Sequence, residues 1–206
     1  MDCDGRGHME KSSGGCYGMI IMCDIDSVLN DLVIKTLTLY NSRSGKNIRL
    51  SDITTYHFSE CLPREDADAI YELFKEKELW DSLEPLPGSQ KGLKTLMNNG
   101  HSIYLATATS PESFPWKTEW LKKYFPFLCT DNVIRITNKG LLKCDVMIDD
   151  CIDNLTSNLC DRVVLDAYWN RDKTKDAVYD IKRAHNWNEI VKIINDLERK
   201  NREWEK

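Results

Sequence analysis

The chain carries no excess of positive charge. Its 28 Lys and Arg face 33 Asp and Glu, a formal net charge of −5 at pH 7. The broad basic footprint of a nucleic-acid-binding surface is therefore missing, although a few local cations can still hold a small anion. No apolar run approaches the ~18 residues that cross a bilayer. No basic start followed by an apolar core and a cleavage site marks a secretory signal. None of the eight cysteines (Cys3, Cys16, Cys23, Cys61, Cys129, Cys144, Cys151, Cys160) forms a Cys-x-x-Cys pair, which argues against a zinc site. Several lie in or beside apolar runs, where a free thiol acts as a small hydrophobe, and the reading is a reducing cytoplasm. Internal repeats and low-complexity segments are absent too. Neither nucleic acid nor a membrane is expected as a partner.

What is present suits one domain, or one domain with an insertion: 206 residues, 41% of them hydrophobic. Residues 1–16 lack periodicity and are expected to be a flexible leader, partly a cloning remnant. Met19, Ile20, Ile21, Met22 and Cys23 form a short apolar run of the kind that makes a buried parallel strand. Leu29, Leu32, Val33, Leu37 and Tyr40 then recur at helical spacing, stopped by Asn41 to Gly45. Ala67, Ile70, Leu73 and Phe74 predict a second amphipathic helix with Pro63 near its start, in a stretch rich in aromatics and lacking strands. Pro85-Leu86-Pro87-Gly88 breaks the chain. After it, helices are predicted through Leu93, Leu96 and Met97, through Trp116, Trp120, Leu121 and Tyr124, and from Trp187 to Leu197, with a charged tail from Glu198 that frays. Strands are predicted at 103–107, 133–136, 145–149 and 163–165.

Strands alternating with helices imply a parallel sheet covered on both faces. Right-handed crossovers place all strand C-termini at one edge, where open α/β sheets bind ligands. Three polar clusters end predicted strands: Asp24 with Asp26, Thr109 with Ser110, and Asp149 with Asp150. Asp24 and Asp26 alone could be two solvated acids at a strand end. Up to four carboxylates at one edge need a counter-charge, and an oxygen-ligated hard cation fits, Mg²⁺ first where phosphate is bound. The hydroxyls of Thr109 and Ser110 would hold that phosphate, and a lysine, Lys139 or Lys143, would balance its charge. Asp24 could then attack phosphorus while Asp26 serves as general acid and base.

The order Asp24-x-Asp26, Thr109-Ser110, a lysine, Asp149-Asp150 resembles the haloacid dehalogenase superfamily of phosphohydrolases, over about residues 17–197. More narrowly, Asp24-Ile25-Asp26-Ser27-Val28-Leu29-Asn30-Asp31, Leu83-Glu84-Pro85-Leu86-Pro87-Gly88 and Thr109-Ser110-Pro111 resemble the 5'(3')-deoxyribonucleotidases. Residues 120–125 and 145–150 add to this likeness. The resemblance implies an α/β, Rossmann-like parallel sheet with helices on both faces, formed by 17–33 and 85–206, and a small helical cap, 34–84, inserted after the first strand. It implies Asp24 as nucleophile, Asp26 as general acid/base, and Thr109, Ser110 and Lys139 as phosphate-binding residues. Lys139 is preferred to Lys143 because the family's lysine lies ten residues before the first Asp of the last motif. Mg²⁺ would be held by Asp24, the backbone carbonyl of Asp26, and Asp149, with support from Asp150. Ser27 stands where many relatives carry glycine, and being small it should preserve the turn.

The expected activity is Mg²⁺-dependent hydrolysis of (deoxy)nucleoside monophosphates through an aspartyl-phosphate. His57, Phe58 and Trp80 are candidate base contacts, and Trp169, Asn170 and Arg171 follow a strand at the same edge. Hydrolysis of another small phosphomonoester, such as a sugar phosphate, is the alternative. A receiver-like phospho-acceptor domain is the non-enzymatic one, which the insertion opposes. The partner expected is a small phosphomonoester, a nucleotide first, and a homodimer is entertained as the assembly.

Overall fold

A computed structural model of the chain describes residues 18–172 and 174–204. The expected leader, with Cys3 and Cys16, lies outside the described residues. In chain order the elements are β1 (Ile20–Cys23), α1 (Leu32–Ser44), α2 (Phe58–Cys61), α3 (Arg64–Leu73), α4 (Lys77–Ser82), α5 (Ser89–Asn98), β2 (Ser102–Thr107), α6 (Phe114–Tyr124), β3 (Val133–Arg135), β4 (Val146–Asp149), α7 (Ile152–Thr156), β5 (Asp161–Leu165), α8 (Thr174–Val178), β6 (Ile181–Ala184) and α9 (Trp187–Trp204). The strands form one sheet in the order β3-β2-β1-β4-β5-β6, and every neighbouring pair is parallel.

The alternation of side chains along each strand divides the core into two layers. Ile21, Cys23, Ile103, Leu105, Val146, Ile148, Val163 and Leu165 face one side, where α5 and α9 pack with Leu93, Leu96, Ile190 and Ile194. Met22, Ala106, Met147 and Val164 face the other, where α7 contributes Leu155. A sheet buried on both faces explains why β1 and β4 read as continuous apolar runs.

Three expectations need correction. The first helix begins at Leu32, not Leu29, because 26–29 form a turn closed by Leu29 N–H donating to Ile25 O at 2.8 Å. β6 was not expected. Lys182 and Arg183 interrupt its apolar pattern, and Arg183 is tolerated there because Asp166 (2.9 Å) and Asp176 (2.8 Å) pair with its guanidinium. The tail expected to fray from Glu198 continues as helix through Trp204.

The chain leaves and re-enters the sheet region at one place. Asn30 and Pro85 form an antiparallel bridge, Leu86 N–H donates to Leu29 O (2.7 Å), and Asp31 N–H donates to Glu84 O (3.1 Å). Two indoles fix this crossing. Trp187 Nε1 donates to Val28 O (2.9 Å) and Trp120 Nε1 to Leu83 O (3.0 Å). Gly92 on α5 makes room for the first: a Cβ there would lie 2.4 Å from Trp187 Cε3. Between the crossing points the described structure is α1 to α4 and a 3₁₀ turn, with no strand, and α4 packs against α6.

Candidate active site

The parallel sheet brings the three polar clusters to one edge. Asp24 follows β1 and is fixed by its own N–H, which donates to Ile148 O at 2.9 Å. Asp149 closes β4 and Asp150 follows it. Asp24, Asp149 and Asp150 are all buried, and each offers a carboxylate oxygen within 4.8 Å of the others. Lys139 is 2% exposed and bridges two of them, with Nζ 2.6 Å from Asp24 Oδ1 and 2.7 Å from Asp149 Oδ2. Lys143 is exposed. Asp149 also accepts from Cys151 N–H (2.8 Å) and from Asn154 Nδ2 (3.2 Å). Trp169 Nε1 donates to Asp150 Oδ2 (2.9 Å), while Asn170 Nδ2 holds the Asp150 carbonyl (2.8 Å).

Asp26 lies two residues on, and Ser27 turns the chain with φ +58°. A serine in that left-handed region costs about 1–2 kcal/mol, offset in part by its N–H donating to Asn30 Oδ1 at 3.1 Å. Thr109 and Ser110 follow β2 and line one cavity with Asp26 and Asp150. The same cavity is walled by Tyr56, His57, Phe58, Tyr71, Phe74 and Trp80. Trp169 lines it as well, whereas Arg171 turns away to stack on Tyr168 and lines a neighbouring cavity.

Three buried carboxylates meet at the centre of this edge, and one ammonium, Lys139, pairs with two of them. Burial pushes Asp24 up from 3.8 to about 7, Lys139 opposes that, and the Asp149 and Asp26 charges add to it. Asp150 is raised well above the carboxylate range by burial, then by Asp149 and Asp24. Burial works against the Lys139 ammonium, but Asp149 and Asp24 outweigh it and its shift is upward. An all-oxygen, acidic donor set of this kind fits a hard divalent cation.

The raised acids have a sign consequence. The folded protein holds these protons more tightly than the unfolded chain does. For Asp24 that stabilising contribution is complete below 3.8 and is lost as pH rises through about 7. A cation that displaces the protons should stabilise the fold more as pH rises. The gain in thermal midpoint on adding Mg²⁺ in place of a chelator is therefore expected to be several degrees larger at about pH 8 than at about pH 6. An increment independent of pH would show that no such competition exists.

Comparison with known proteins locates this arrangement. Residues 18–201 match the family model described as "5' nucleotidase, deoxy (Pyrimidine), cytosolic type C protein". The chain belongs to that family. A 5'(3')-deoxyribonucleotidase of Bacillus subtilis is 32% identical over 176 residues, 85% of this chain and 98% of the relative. One from Clostridium acetobutylicum is 28% identical over 174 residues, 84% and 93% of the two chains. Among solved structures, a haloacid dehalogenase-like hydrolase from Streptococcus pneumoniae superposes with TM-score 0.58 at 13% identity, over 86% of this chain and 98% of that one. A HAD family hydrolase from Deinococcus radiodurans with bound phosphate and sodium gives 0.58 at 10% identity, over 85% and 94%. The fold is thus that of the haloacid dehalogenase superfamily, and the chain is a phosphoric monoester hydrolase of the nucleotidase family.

Two groups at this nucleotidase-family site escape sequence reasoning. Asn154, at the start of α7, sits five residues past Asp149 and carries no motif signal. Lys117 does carry one. It shares the helix face of Trp120, Leu121 and Tyr124 at i+3, i+4 and i+7, so a charged residue occupies a position on the buried face of α6. It is 1% exposed, and its ammonium reaches Asp26 Oδ2.

Proposed function

We propose that this hydrolase removes phosphate from (deoxy)nucleoside monophosphates through an aspartyl-phosphate on Asp24, with residues 34–84 acting as a helical cap on a core of 17–33 and 85–206. One observation carries the substrate class. A cavity of about 340 Å³ joins an aromatic wall (Tyr56, Phe58, Tyr71, Phe74, Trp80) to Asp26, Thr109, Ser110 and Asp150. A flat ring and a phosphate on one molecule match those two halves. The relatives named 5'(3')-deoxyribonucleotidase support the same assignment.

In this reading Thr109, Ser110 and Lys139 hold the phosphate oxygens. An Asp24 oxygen attacks phosphorus, and the bond from phosphorus to the leaving oxygen breaks with its electron pair going to that oxygen. Asp26 supplies the proton that converts the leaving oxygen into the nucleoside hydroxyl. In the second half Asp26 takes a proton from water, the water oxygen bonds to phosphorus, and Asp24 is released. Asp24, the Asp26 carbonyl and Asp149 would hold Mg²⁺, with Asp150 in support, and the ion when bound would neutralise phosphate charge. The hydrophobic wall keeps bulk water from the reacting centre.

The test is a panel of phosphomonoesters with phosphate release as readout, with Mg²⁺ and with chelator. Deoxynucleoside monophosphates are expected to be turned over with kcat/KM at least tenfold above sugar phosphates. Preference for sugar phosphates, or indifference to the base, would overturn the nucleotide assignment.

A further inference from the structure

We infer that Lys117 is a positioning residue for phosphoryl transfer: it holds the Asp26 carboxyl in the orientation from which the leaving group is protonated, and ties that orientation to the wall of the substrate cleft. The inference rests on Asp26 serving as the general acid.

A lysine on the buried face of a helix is costly unless its charge is met. Here three contacts meet it. The Lys117 ammonium donates to Asp26 Oδ2, donates to Thr107 Oγ1 at 2.6 Å, and lies 4.9 Å from the centre of the Trp80 ring. A methionine would fill the same space with no charge to satisfy. The lysine's partners are the proposed acid, a hydroxyl at the end of β2 and an aromatic of the cleft.

The contacts orient the carboxyl. An ammonium has three donors and no acceptor, so the lone pair of Oδ2 that faces Nζ is taken by Lys117. Asn30 fixes the second oxygen, with Nδ2 donating to Oδ1 at 3.2 Å. The Asn30 amide cannot turn over, because its own Oδ1 accepts from Ser27 N–H (3.1 Å) and Leu32 N–H (3.2 Å). With one oxygen tied to each neighbour, the plane of the carboxyl is set, and each oxygen keeps a second lone pair for the transferred proton.

Trp80 extends this to the cleft. Its Nε1 donates to Phe74 O at 2.9 Å, and both rings line the cavity. A substrate ring seated against Trp80 therefore bears on the side chain that packs on the lysine holding Asp26. During transfer the Asp24 oxygen–phosphorus bond forms, the phosphorus–alcohol oxygen bond breaks, and the proton on the Asp26 carboxyl moves to the departing oxygen.

The experiment separates this role from simple support of the fold. Single-turnover release, with enzyme in excess, reads only the first chemical step. The probes are a deoxynucleoside 5'-monophosphate, whose alkoxide needs a proton, and 4-nitrophenyl phosphate, whose phenolate leaves without one. For Lys117→Met, nucleoside release is expected to fall by about 10²-fold, the scale of a general acid's contribution, while nitrophenol release stays within about threefold. Equal losses on both probes, or no loss on either, would overturn the inference. Asp26→Asn run beside it tests the underlying reading. If that variant shows no selective loss, the role of Asp26 falls; if it does and Lys117→Met does not, only the inference falls. Should Lys117→Met fail to fold, Thr107→Val, which frees the lysine's second anchor, is expected to show the same selectivity in smaller measure. Its absence would count as the same refutation.

Discussion

Asp24→Asn is expected to abolish phosphate release, by more than ~10⁴-fold in kcat, while leaving a protein at least as heat-stable as the parent. The two halves of this result have one origin. Asp24 is the carboxylate whose oxygen would bond to phosphorus, and an amide offers no comparable nucleophile. It is also a buried acid crowded by Asp149 and Asp26, and burial foremost holds its carboxyl near 7. Near pH 8 the parent must keep this group ionised inside the protein, which costs free energy. Asparagine removes that charge at nearly constant volume. Function and stability therefore move in opposite directions, as at other sites where a group is held in a state it does not prefer. The measurements are kcat on a deoxynucleoside monophosphate and the thermal midpoint of chelated protein at about pH 8. Residual turnover within tenfold of the parent would remove Asp24 as the nucleophile. A large fall in midpoint would show that Asp24 is structural instead.

Much of this site was legible because parallel sheets convert sequence order into spatial convergence. The strand ends at Asp24, Thr107 and Asp149 come from segments 83 and 42 residues apart, yet one topological rule brings them to one edge. Lys139 was singled out from Lys143 only through the resemblance, whose lysine lies ten residues before the first Asp of the last motif, and the aromatic stretch at 56–80 was legible through composition. What stayed hidden depended on partners. Arg183 makes β6 acceptable only because Asp166 and Asp176, distant in sequence, neutralise it. Lys117 is acceptable on a buried face only because Asp26 and Thr107 reach it from two other elements. The first helix starts late because the 26–29 turn, closed by Leu29 N–H on Ile25 O, is also held by the Asn30 side chain accepting from Ser27 and Leu32 N–H, interactions that hydrophobic spacing does not record. In each case a polar group breaks the apolar pattern, and the reason lies across the fold rather than along the chain.

Lys139→Met should have the opposite stability sign from Asp24→Asn, although both remove one end of the same ion pair. Three buried carboxylates cluster here, and this one ammonium pairs with two of them. Removing an acid lowers the imbalance; removing the lysine leaves the acids facing one another. Deleting one partner of a buried ion pair typically costs about 3–5 kcal/mol, and the loss should fall at that level in chelated protein near neutral pH. It should shrink as pH falls, because protons then neutralise the acids that the lysine had served. The sign follows from linkage: acids whose folded pKa is raised stabilise at low pH and cease to do so as pH rises through that value. Losing the lysine's attraction raises Asp24 further above about 7. Saturating Mg²⁺ should restore part of the midpoint, since a cation of higher charge takes over some of the lost compensation, but not the rate. In the proposed mechanism the same ammonium meets the transferring phosphate, so kcat is expected to drop about 10²–10³-fold, as when one preorganised donor to a developing charge is removed. Thermal midpoints at about pH 5.5 and pH 8, with and without Mg²⁺, test the electrostatic account separately from kcat. A Lys139→Met protein as stable as the parent at the higher pH without metal would mean that the acids find their counter-charge elsewhere, and the case for a cation at their centre would lose its physical basis.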